Sequence, residues 1–438
     1  MRYIHPAARA DVLDFVQSPF CARMQVRGDL VAASVDDSAR GLRLIHPRIA
    51  VPSYPWEWTP GQWLAAANLT LTLCSEAIDE GWILKDATPL NILFVGARPV
   101  FVDILSFERR DPHASTWLAY GQYIRTFLLP MLMHRMLKWP LALSLFKRDG
   151  YEPSDLYTAL SRRQRLSPKA FWPVTLPAWL ERRQKTAKTT VQRVSDVELA
   201  THVLQRTVAG LKRRTERALP RTTASEWSEY RVSLAHYTPE QSAQKYAWVK
   251  QILGELEPRR VLDIGANTGE YSALAASLGA EVVALERDAA AAERLFRMSC
   301  AGDATMQRVQ TIHADLARPT PAVGWENGES AALLPRLEGL FDAVLMLAVI
   351  HHLILMEQIP LQAIMKLCHR LTSRYLLIEW VPVGDPMYRS LLRGRDELYG
   401  SLTESDLLSA CAGLFDVRQT KPLDNGRTLF LFERTHAA

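Results

Sequence analysis

The stretch VLDIGANTGEYSALAASLGAEVVALERD, Val261–Asp288, determines the fold of the second half of the chain. It begins with Val261–Ile264, a short apolar run that breaks at Gly265, which is the pattern of a buried parallel strand. Gly265 and Gly269 allow the backbone to turn sharply and to pass close to a ligand. The sequence therefore predicts a strand that ends in a ligand-binding turn.

The same stretch continues with a helix and a second strand. Residues 273–278 have a helical pattern that stops at Gly279, and residues 281–285 form an apolar strand that closes on Glu286. A strand, a glycine turn, a helix and a strand ending in an acid form the nucleotide half-site of a doubly wound fold. We therefore predict a Rossmann-like domain of the α/β class here.

The residues around the turn indicate which nucleotide binds. A dinucleotide fingerprint requires glycines where Asn267 and Glu270 stand. Asp263 would repel a pyrophosphate but would suit the ammonium and sulfonium of S-adenosylmethionine, while Glu286 can accept both ribose hydroxyls. The stretch resembles motif I of the class I methyltransferases. A βαβ unit that binds no nucleotide is the alternative.

Further elements downstream agree with this resemblance. Strand–helix alternation predicts a seven-stranded sheet, with further strands at residues 309–312, 341–347, 376–380, 414–418 and 427–433. The resemblance implies that Asp315, after the third strand, reads the adenine amino group together with the Leu316 backbone. The predicted cofactor-binding residues are Asp263, Gly265, Asn267, Gly269, Glu286, Asp315, Leu316 and Leu347.

Two adjacent histidines follow the predicted fourth strand. His351 and His352 lie at the carboxyl end of that strand, where the methyl acceptor would meet the cofactor. Either could be a general base that takes the acceptor's proton. The alternative is a structural pair that caps and packs the next helix, since methyl transfer depends mostly on in-line positioning.

Composition limits the class of protein. The chain has 438 residues, so two or three domains are expected. A hydrophobic content of 48% and a net charge of +5 are ordinary for a soluble globular protein. The five cysteines have neither a disulfide-framework nor a metal-ligand spacing, so no metal site is predicted from them. The sequence opens without a signal-peptide pattern, which favours a cytoplasmic location.

The most apolar region of the chain is Phe127–Phe146. His134, Arg135, Lys138 and Pro140 interrupt it, so we do not expect a transmembrane segment. A pair of core helices is predicted, and peripheral contact with a membrane surface is the alternative.

A second polar constellation lies in the first third of the chain. Asp86 and Asn91 occupy a predicted loop after a helix at residues 63–78, and Asn91 opens a strand at residues 92–95. A turn then leads to a strand that ends on Asp103. This spacing resembles the catalytic loop and metal-binding acid of protein-kinase-like and aminoglycoside-type phosphotransferases. The resemblance implies Asp86 as base at an acceptor hydroxyl and Asn91 and Asp103 as magnesium ligands.

This constellation departs from the phosphotransferase pattern. No Gly-rich phosphate loop and no lysine strand with a partner glutamate precede Asp86, and Lys85 stands where the pattern has His-Gly. The favoured interpretation is a degenerate scaffold that kept the fold of the kinase lobe. An active phosphotransferase and a buried polar hairpin unrelated to kinases are the alternatives.

The predicted organisation has three segments. They are an α+β kinase-like domain at residues 1–149, a helical basic connector at 150–225 and the methyltransferase domain at 226–438. Short strand-like runs in the first domain are Met24–Val26, Leu30–Val35 and Leu42–Ile45. The connector carries the basic run Lys212–Arg214, which is more typical of a solvated helix face than of a nucleic-acid site, since no aromatic residues accompany it.

Taken together, six stretches resemble the bacterial nodulation-protein (NoeA-type) methyltransferases. They are YPWEW (54–58), KDATPLNILF (85–94), PVFVDILSFE (99–108), the motif I stretch, PTPAVGW (319–325) and LAVIHHL (347–353). The resemblance implies S-adenosylmethionine as cofactor and, loosely, a saccharide or lipid-linked saccharide acceptor.

We therefore predict an S-adenosylmethionine-dependent methyltransferase acting on a small-molecule, saccharide or lipid-linked acceptor, whose first domain shapes the acceptor site. The alternatives are a bifunctional kinase–methyltransferase and a non-catalytic binding protein.

Overall fold

The structure is a computed structural model that describes residues 1–38, 41–181, 191–219 and 237–435. The chain forms two compact units, Met1–Arg221 and Thr222–Ala438. The predicted connector lies in the first unit up to residue 221, and its residues 182–190 and 220–225 lie outside the described part.

The first unit combines short strands with helices. Its strands are β1 (Arg2–Tyr3), β2 (Ser34–Ser38), β3 (Gly41–Ile45), β4 (Trp82–Leu84), β5 (Ile92–Val95), β6 (Arg98–Phe101) and β7 (Phe107–Arg109). Its helices are α1 (Arg9–Val16), α2 (Pro19–Arg27), α3 (Pro60–Asp79), α4 (Tyr120–Tyr123), α5 (Leu129–Leu137), α6 (Pro153–Ala159), α7 (Arg162–Arg165), α8 (Pro168–Ala170), α9 (Leu176–Glu181) and α10 (Val197–Ala218). The strands form a sheet in the order β1-β3-β2 and the antiparallel pairs β4–β7 and β5–β6.

Helix α3 is the central helix of the first unit, and its start follows the sequence signals. The Gln62 amide N donates to the Thr59 hydroxyl at 3.3 Å, and the Thr59 amide N donates to Gln62 Oε1 at 2.9 Å, which closes a capping box. Helix α10 packs along α3, where Gln205 Nε2 donates to the Ser75 carbonyl at 2.8 Å. The helix predicted at residues 63–78 is thereby confirmed.

One strand prediction in the first unit is wrong. Met24–Val26 lies in helix α2, which begins after Ser18, whose hydroxyl accepts from the Cys21 amide N at 3.1 Å. The helix ends at Gly28, which adopts the left-handed conformation with φ 78°. These cap signals determine the conformation more strongly than a three-residue apolar run. Of the other two predicted runs, Leu42–Ile45 lies in β3, whereas Leu30–Val35 reaches strand β2 only at Ser34 and Val35.

The second unit alternates strands and helices. Its strands are β8 (Arg260–Ile264), β9 (Glu281–Glu286), β10 (Val309–His313), β11 (Phe341–Met346), β12 (Thr372–Trp380), β13 (Phe415–Pro422) and β14 (Thr428–Arg434). Its helices are α11 (Pro239–Leu256), α12 (Glu270–Ser277), α13 (Ala289–Ala301), α14 (Leu333–Leu337), α15 (Ile350–Leu355), α16 (Leu361–Leu371), α17 (Pro386–Leu392), α18 (Asp396–Tyr399) and α19 (Glu404–Cys411).

These strands form the predicted seven-stranded sheet, and their order in it is β10-β9-β8-β11-β12-β14-β13. Strands β8 to β12 are mutually parallel where they pair, and β14 runs antiparallel to both of its neighbours. The strand order reverses beside β8, and ligands of open α/β sheets bind at the carboxyl ends of strands around such a point. Within the described ranges, no helix has both the length and the apolar content to cross a membrane.

Candidate functional site

The turn after β8 requires glycine at two positions. Gly265 and Gly269 have φ of 70° and 84°, in the left-handed region that side chains with a Cβ rarely adopt. A Cβ on Gly265 would lie 2.5 Å from Val349 Cγ2, and one on Gly269 would lie 2.2 Å from Leu295 Cδ1. The two glycines therefore let the turn pass tightly between its neighbours.

A cavity of about 260 Å³ opens at the carboxyl edge of the sheet, next to this turn. Residues that follow β8, β9, β10 and β11 form most of its wall. The lining residues are Ile264, Gly265, Asn267, Leu285, Glu286, Arg287, Asp288, Ala314, Asp315, Leu316, Ala348, Val349, His352, Leu353 and Glu357. Five predicted cofactor residues, Gly265, Asn267, Glu286, Asp315 and Leu316, therefore come together, whereas Asp263, Gly269 and Leu347 are not in the wall.

Glu286 is fixed by backbone donors at the end of β9. Its carboxylate accepts from the Asn267 and Asp288 amide N atoms, each at 2.7 Å. Burial raises the pKa of Glu286, while the same backbone donors oppose that rise. Each carboxylate oxygen has two lone pairs, so both oxygens retain acceptor capacity for ligand hydroxyls.

Asn267, which lines the cavity, has an unsatisfied side-chain acceptor. Its φ of 52° places it in the left-handed region, and its side-chain Oδ1 is buried without a hydrogen-bond partner among the described residues. A buried acceptor without a donor costs roughly 1–3 kcal/mol. A ligand donor, such as an ammonium or a hydroxyl in the adjoining cavity, would remove this cost. The residues present therefore fit S-adenosylmethionine.

Asp263 lies behind the cavity wall. The Ser272 hydroxyl donates to its carboxylate at 2.6 Å, which ties the end of β8 to helix α12. Burial raises the pKa of Asp263 to about 6. The contact shows Asp263 supporting the turn from behind.

A chain of ion pairs crosses the cavity wall near Asp315. Arg318 pairs with Asp315 at 3.1 Å and with Glu357 at 2.5 Å, and Glu357 also pairs with Arg287 at 3.1 Å. Sequence reasoning missed Arg287 and Glu357 because they lie 70 residues apart and form no local motif.

The two histidines occupy different environments. His352 lines the cavity, whereas the His351 side chain is 2% exposed and neither of its ring nitrogens has a partner among the described residues. Burial, and next the neighbouring His352, lower the pKa of His351 to about 3. Burial, and next Arg287, also lower the pKa of His352. Both rings are therefore neutral at pH 7.

A buried ionic cluster lies between helix α11 and strands β12 and β14. Glu379 accepts from Lys245 Nζ at 2.5 Å, from Arg427 Nη1 at 3.1 Å and from the Tyr237 hydroxyl. Arg427 also pairs with Asp385 at 2.8 Å. Burial lowers the pKa of Lys245 to about 7 and raises that of Glu379 to about 7. Nothing local in the sequence indicates the partners of Lys245.

A backbone hydrogen bond connects the ionic cluster with the cavity wall. The Ala348 amide N donates to Glu379, and Ala348, with φ of 57°, lines the cavity. The position of this residue after β11 therefore depends on the carboxylate that ends β12.

In the first unit, the predicted phosphotransferase residues are held by other side chains. Asn91 Nδ2 donates to the Ser106 hydroxyl at 3.1 Å, and that hydroxyl donates to Asp103 at 2.7 Å. Asp103 also forms an ion pair with Arg2, and Asp86 accepts from Gln122. Among the described residues, no group of three or more His, Cys, Asp or Glu side chains is arranged to hold a metal ion.

The chain is similar in sequence to a nodulation protein. The chain is 29% identical over 407 residues to the nodulation protein NoeA of Rhizobium meliloti, covering 90% of this chain and 82% of NoeA. No protein-family model matches the chain. The predicted resemblance to the NoeA-type family is thereby confirmed.

Solved structures similar to the chain include two methyltransferases. The magnesium protoporphyrin IX methyltransferase of Synechocystis with bound SAM has a TM-score of 0.32 and 18% identity, over 45% of this chain and 80% of that one. The N-methyltransferase NodS of Bradyrhizobium japonicum has a TM-score of 0.34 and 11% identity, over 45% of this chain and 98% of that one.

The sheet and the cavity agree with the predicted Rossmann-like domain and its cofactor site. The sheet order, the glycine turn with its acid on the next strand and the similarity to NoeA agree with the class and cofactor predicted above.

Proposed function

We propose that the second unit transfers a methyl group from S-adenosylmethionine to a small-molecule or saccharide acceptor, and that the cavity beside Gly265 is the cofactor site. The observation that carries this assignment is the unpartnered Asn267 Oδ1 beside the backbone-fixed Glu286 carboxylate, in one cavity at the carboxyl edge. A donor-rich, partly cationic ligand satisfies both groups.

In this proposal, different residues of the cavity wall bind different parts of the cofactor. Glu286 would accept the ribose hydroxyls, as an acid at the end of the second strand does in nucleotide-binding folds. Asn267 Oδ1 would accept from the ammonium. Asp315 and the Leu316 backbone would read the adenine, with Arg318 and Glu357 holding Asp315 in place. Asp263 and Gly269 would support the turn.

S-adenosylmethionine, when bound, supplies an electrophilic methyl group on its sulfonium. We assign the removal of the acceptor's proton to His352, because its neutral ring lines the cavity. His351, buried behind it, would act as a packing residue of the same helix. The cavity wall contributes mainly by positioning the acceptor and excluding water.

The proposed role of the first unit is acceptor recognition by a degenerate kinase-like scaffold. Asp103, the acid required for a magnesium site, is already paired with Arg2 and Ser106. These contacts favour the scaffold over the bifunctional kinase–methyltransferase.

The experiment uses strand β9, which carries a glutamate at each end. Glu286→Gln removes the charge-assisted bonds to the cofactor, so we expect S-adenosylhomocysteine to bind about 10- to 100-fold more weakly in calorimetry, equivalent to roughly 1.5–3 kcal/mol. Glu281→Gln is the matched control, since Glu281 is 69% exposed at the other end of the strand. If both variants bound S-adenosylhomocysteine equally tightly, the assignment of the cavity as the cofactor site would be rejected. Methyl transfer is then measured with labelled cofactor and cell extract as the source of acceptor.

A further inference from the structure

A polar groove of about 810 Å³ lies within the first unit. One wall is helix α10, which contributes Arg206, Gly210 and Arg214, and the other is the segment 115–125. The function proposed above uses none of these residues.

The groove carries an excess of positive charge. Arg125, Arg206 and Arg214 line it, and no carboxylate lines it within the described ranges. Arg125 is 3.5 Å from Glu152, and Arg214 donates to the Tyr120 hydroxyl at 3.3 Å. Three guanidinium groups against one carboxylate leave two positive charges. A dianionic ligand would balance them.

Three residues of α10 that line the groove are regularly spaced along the helix. Arg206, Gly210 and Arg214 are four residues apart, so they share one helix face with the glycine between the arginines. Glycine in a helix interior is destabilising relative to alanine. A Cβ on Gly210 would meet only Arg213 Nη2, at 4.0 Å, so packing does not require the glycine. Its effect is to leave free space between the two guanidinium groups.

We propose that this groove binds a phosphate-bearing small molecule. Guanidinium forks match the geometry of phosphate oxygens, and two of them on one helix face can hold one phosphate or pyrophosphate group. The hydroxyls of Ser115, Thr116 and Thr207 line the rest of the groove and suit a hydroxylated body such as a sugar. Gln122 connects the groove with the predicted catalytic loop, since the Ala87 amide N donates to its Oε1 at 2.7 Å.

The test is calorimetric titration of the full chain with glucose 1-phosphate and with inorganic pyrophosphate at constant ionic strength. We expect the double variant Arg206→Gln/Arg214→Gln to bind at least about tenfold more weakly than the wild type, because two charge-assisted contacts are lost. Lys212→Gln is the matched control, since Lys212 is exposed on the same helix and does not line the groove. Gly210→Leu should weaken binding without lowering the melting temperature, because it fills the space and improves helix propensity.

Three outcomes would overturn the proposal. The first is the absence of binding by both phosphate probes. The second is an equal loss of affinity in Lys212→Gln. The third is unphosphorylated glucose binding as tightly as glucose 1-phosphate. A single-stranded oligonucleotide or anionic phosphatidylserine vesicles binding through the same arginines, while both small probes fail, would also reject it in favour of a macromolecular anion. Binding of S-adenosylhomocysteine by the second unit is measured in the same samples. We expect it to be the same in all these variants, so failure of the groove proposal can be distinguished from failure of the proposed function.

Discussion

The two units have similar patterns of polar residues at the ends of strands, but these residues have different surroundings. Each has polar residues at the ends of neighbouring strands, Asp86, Asn91 and Asp103 in the first and Glu286 and Asp315 in the second. In the second unit these side chains border a cavity. In the first unit they are occupied by Ser106, Gln122 and Arg2.

Backbone donors account for much of this difference. The second unit fixes Glu286 with the amide N atoms of a left-handed turn, which leaves its carboxylate open towards the cavity. The first unit fixes Asp103 with the Ser106 hydroxyl and with the Arg2 guanidinium, and the guanidinium also neutralises the carboxylate's charge. A polar residue at a strand end is therefore a better indication of a site when the neighbouring backbone can hold it.

The largest expected effect is the loss of stability on replacing the buried Glu379, compared with replacing the exposed Glu281 in the same unit. Glu379→Gln leaves Lys245 and Arg427 buried without their shared anion, so we expect the free energy of unfolding to fall by about 3–5 kcal/mol. The measurement is urea denaturation, with hydrogen exchange in the peptides of β12 and β14. Glu281→Gln removes an exposed ion pair with Arg260 and should cost less than about 1 kcal/mol. Similar losses in both variants would mean that the buried cluster is not a structural unit.

The next effect separates the two histidines at the cavity. His352→Ala should lower turnover roughly a hundredfold while cofactor affinity is retained, the scale of losing a general base. His351→Leu removes two unpartnered ring nitrogens from the core and should keep turnover per folded molecule. Methyl transfer from labelled cofactor checks both. The reverse pattern would assign the base to His351.

The pH dependence follows from the lowered pKa values of the same residues. The base must be neutral, and burial lowers the pKa of His352 below the ordinary value of 6.5. The rate should therefore stay level down to about pH 6.5 and fall only at lower pH. The unfolded chain binds more protons than the folded chain between the folded pKa of His351, about 3, and 6.5, so stability also falls as the pH drops through that range. Rates are accordingly normalised to the folded fraction. A fall that begins above pH 7 would contradict this assignment.

The parts of the fold that the sequence predicts are those with short-range signals. The turn after β8 is specified within Val261–Asp288, and helix α3 begins at the capping box of Thr59 and Gln62. The strand predicted at Met24–Val26 fails because its apolar run ignores the flanking caps Ser18 and Gly28, which specify α2.

Long-range contacts were not predictable from one sequence. Lys245 and Glu379 are 134 residues apart, and Glu379 and Arg427 are 48 apart, so no periodicity or spacing relates them. The wall contacts of Glu357 and the groove between α10 and Tyr120 have the same origin. Burial and pairing decide these features, and both depend on the packed fold.

The smallest expected effect concerns the closed constellation of the first unit. Asp103 pairs with Arg2, whose side chain is 44% exposed, so Asp103→Asn should cost at most about 1 kcal/mol, or roughly 2–4 °C in melting temperature. Because Asp103 is occupied by Arg2 and Ser106, Mg-ATP should raise the melting temperature of neither the wild type nor the variant. Scanning calorimetry with and without Mg-ATP measures both. A shift of several degrees in the wild type that disappears in Asp103→Asn would show that Arg2 is displaced by magnesium, and the first unit would then be an active phosphate-binding lobe.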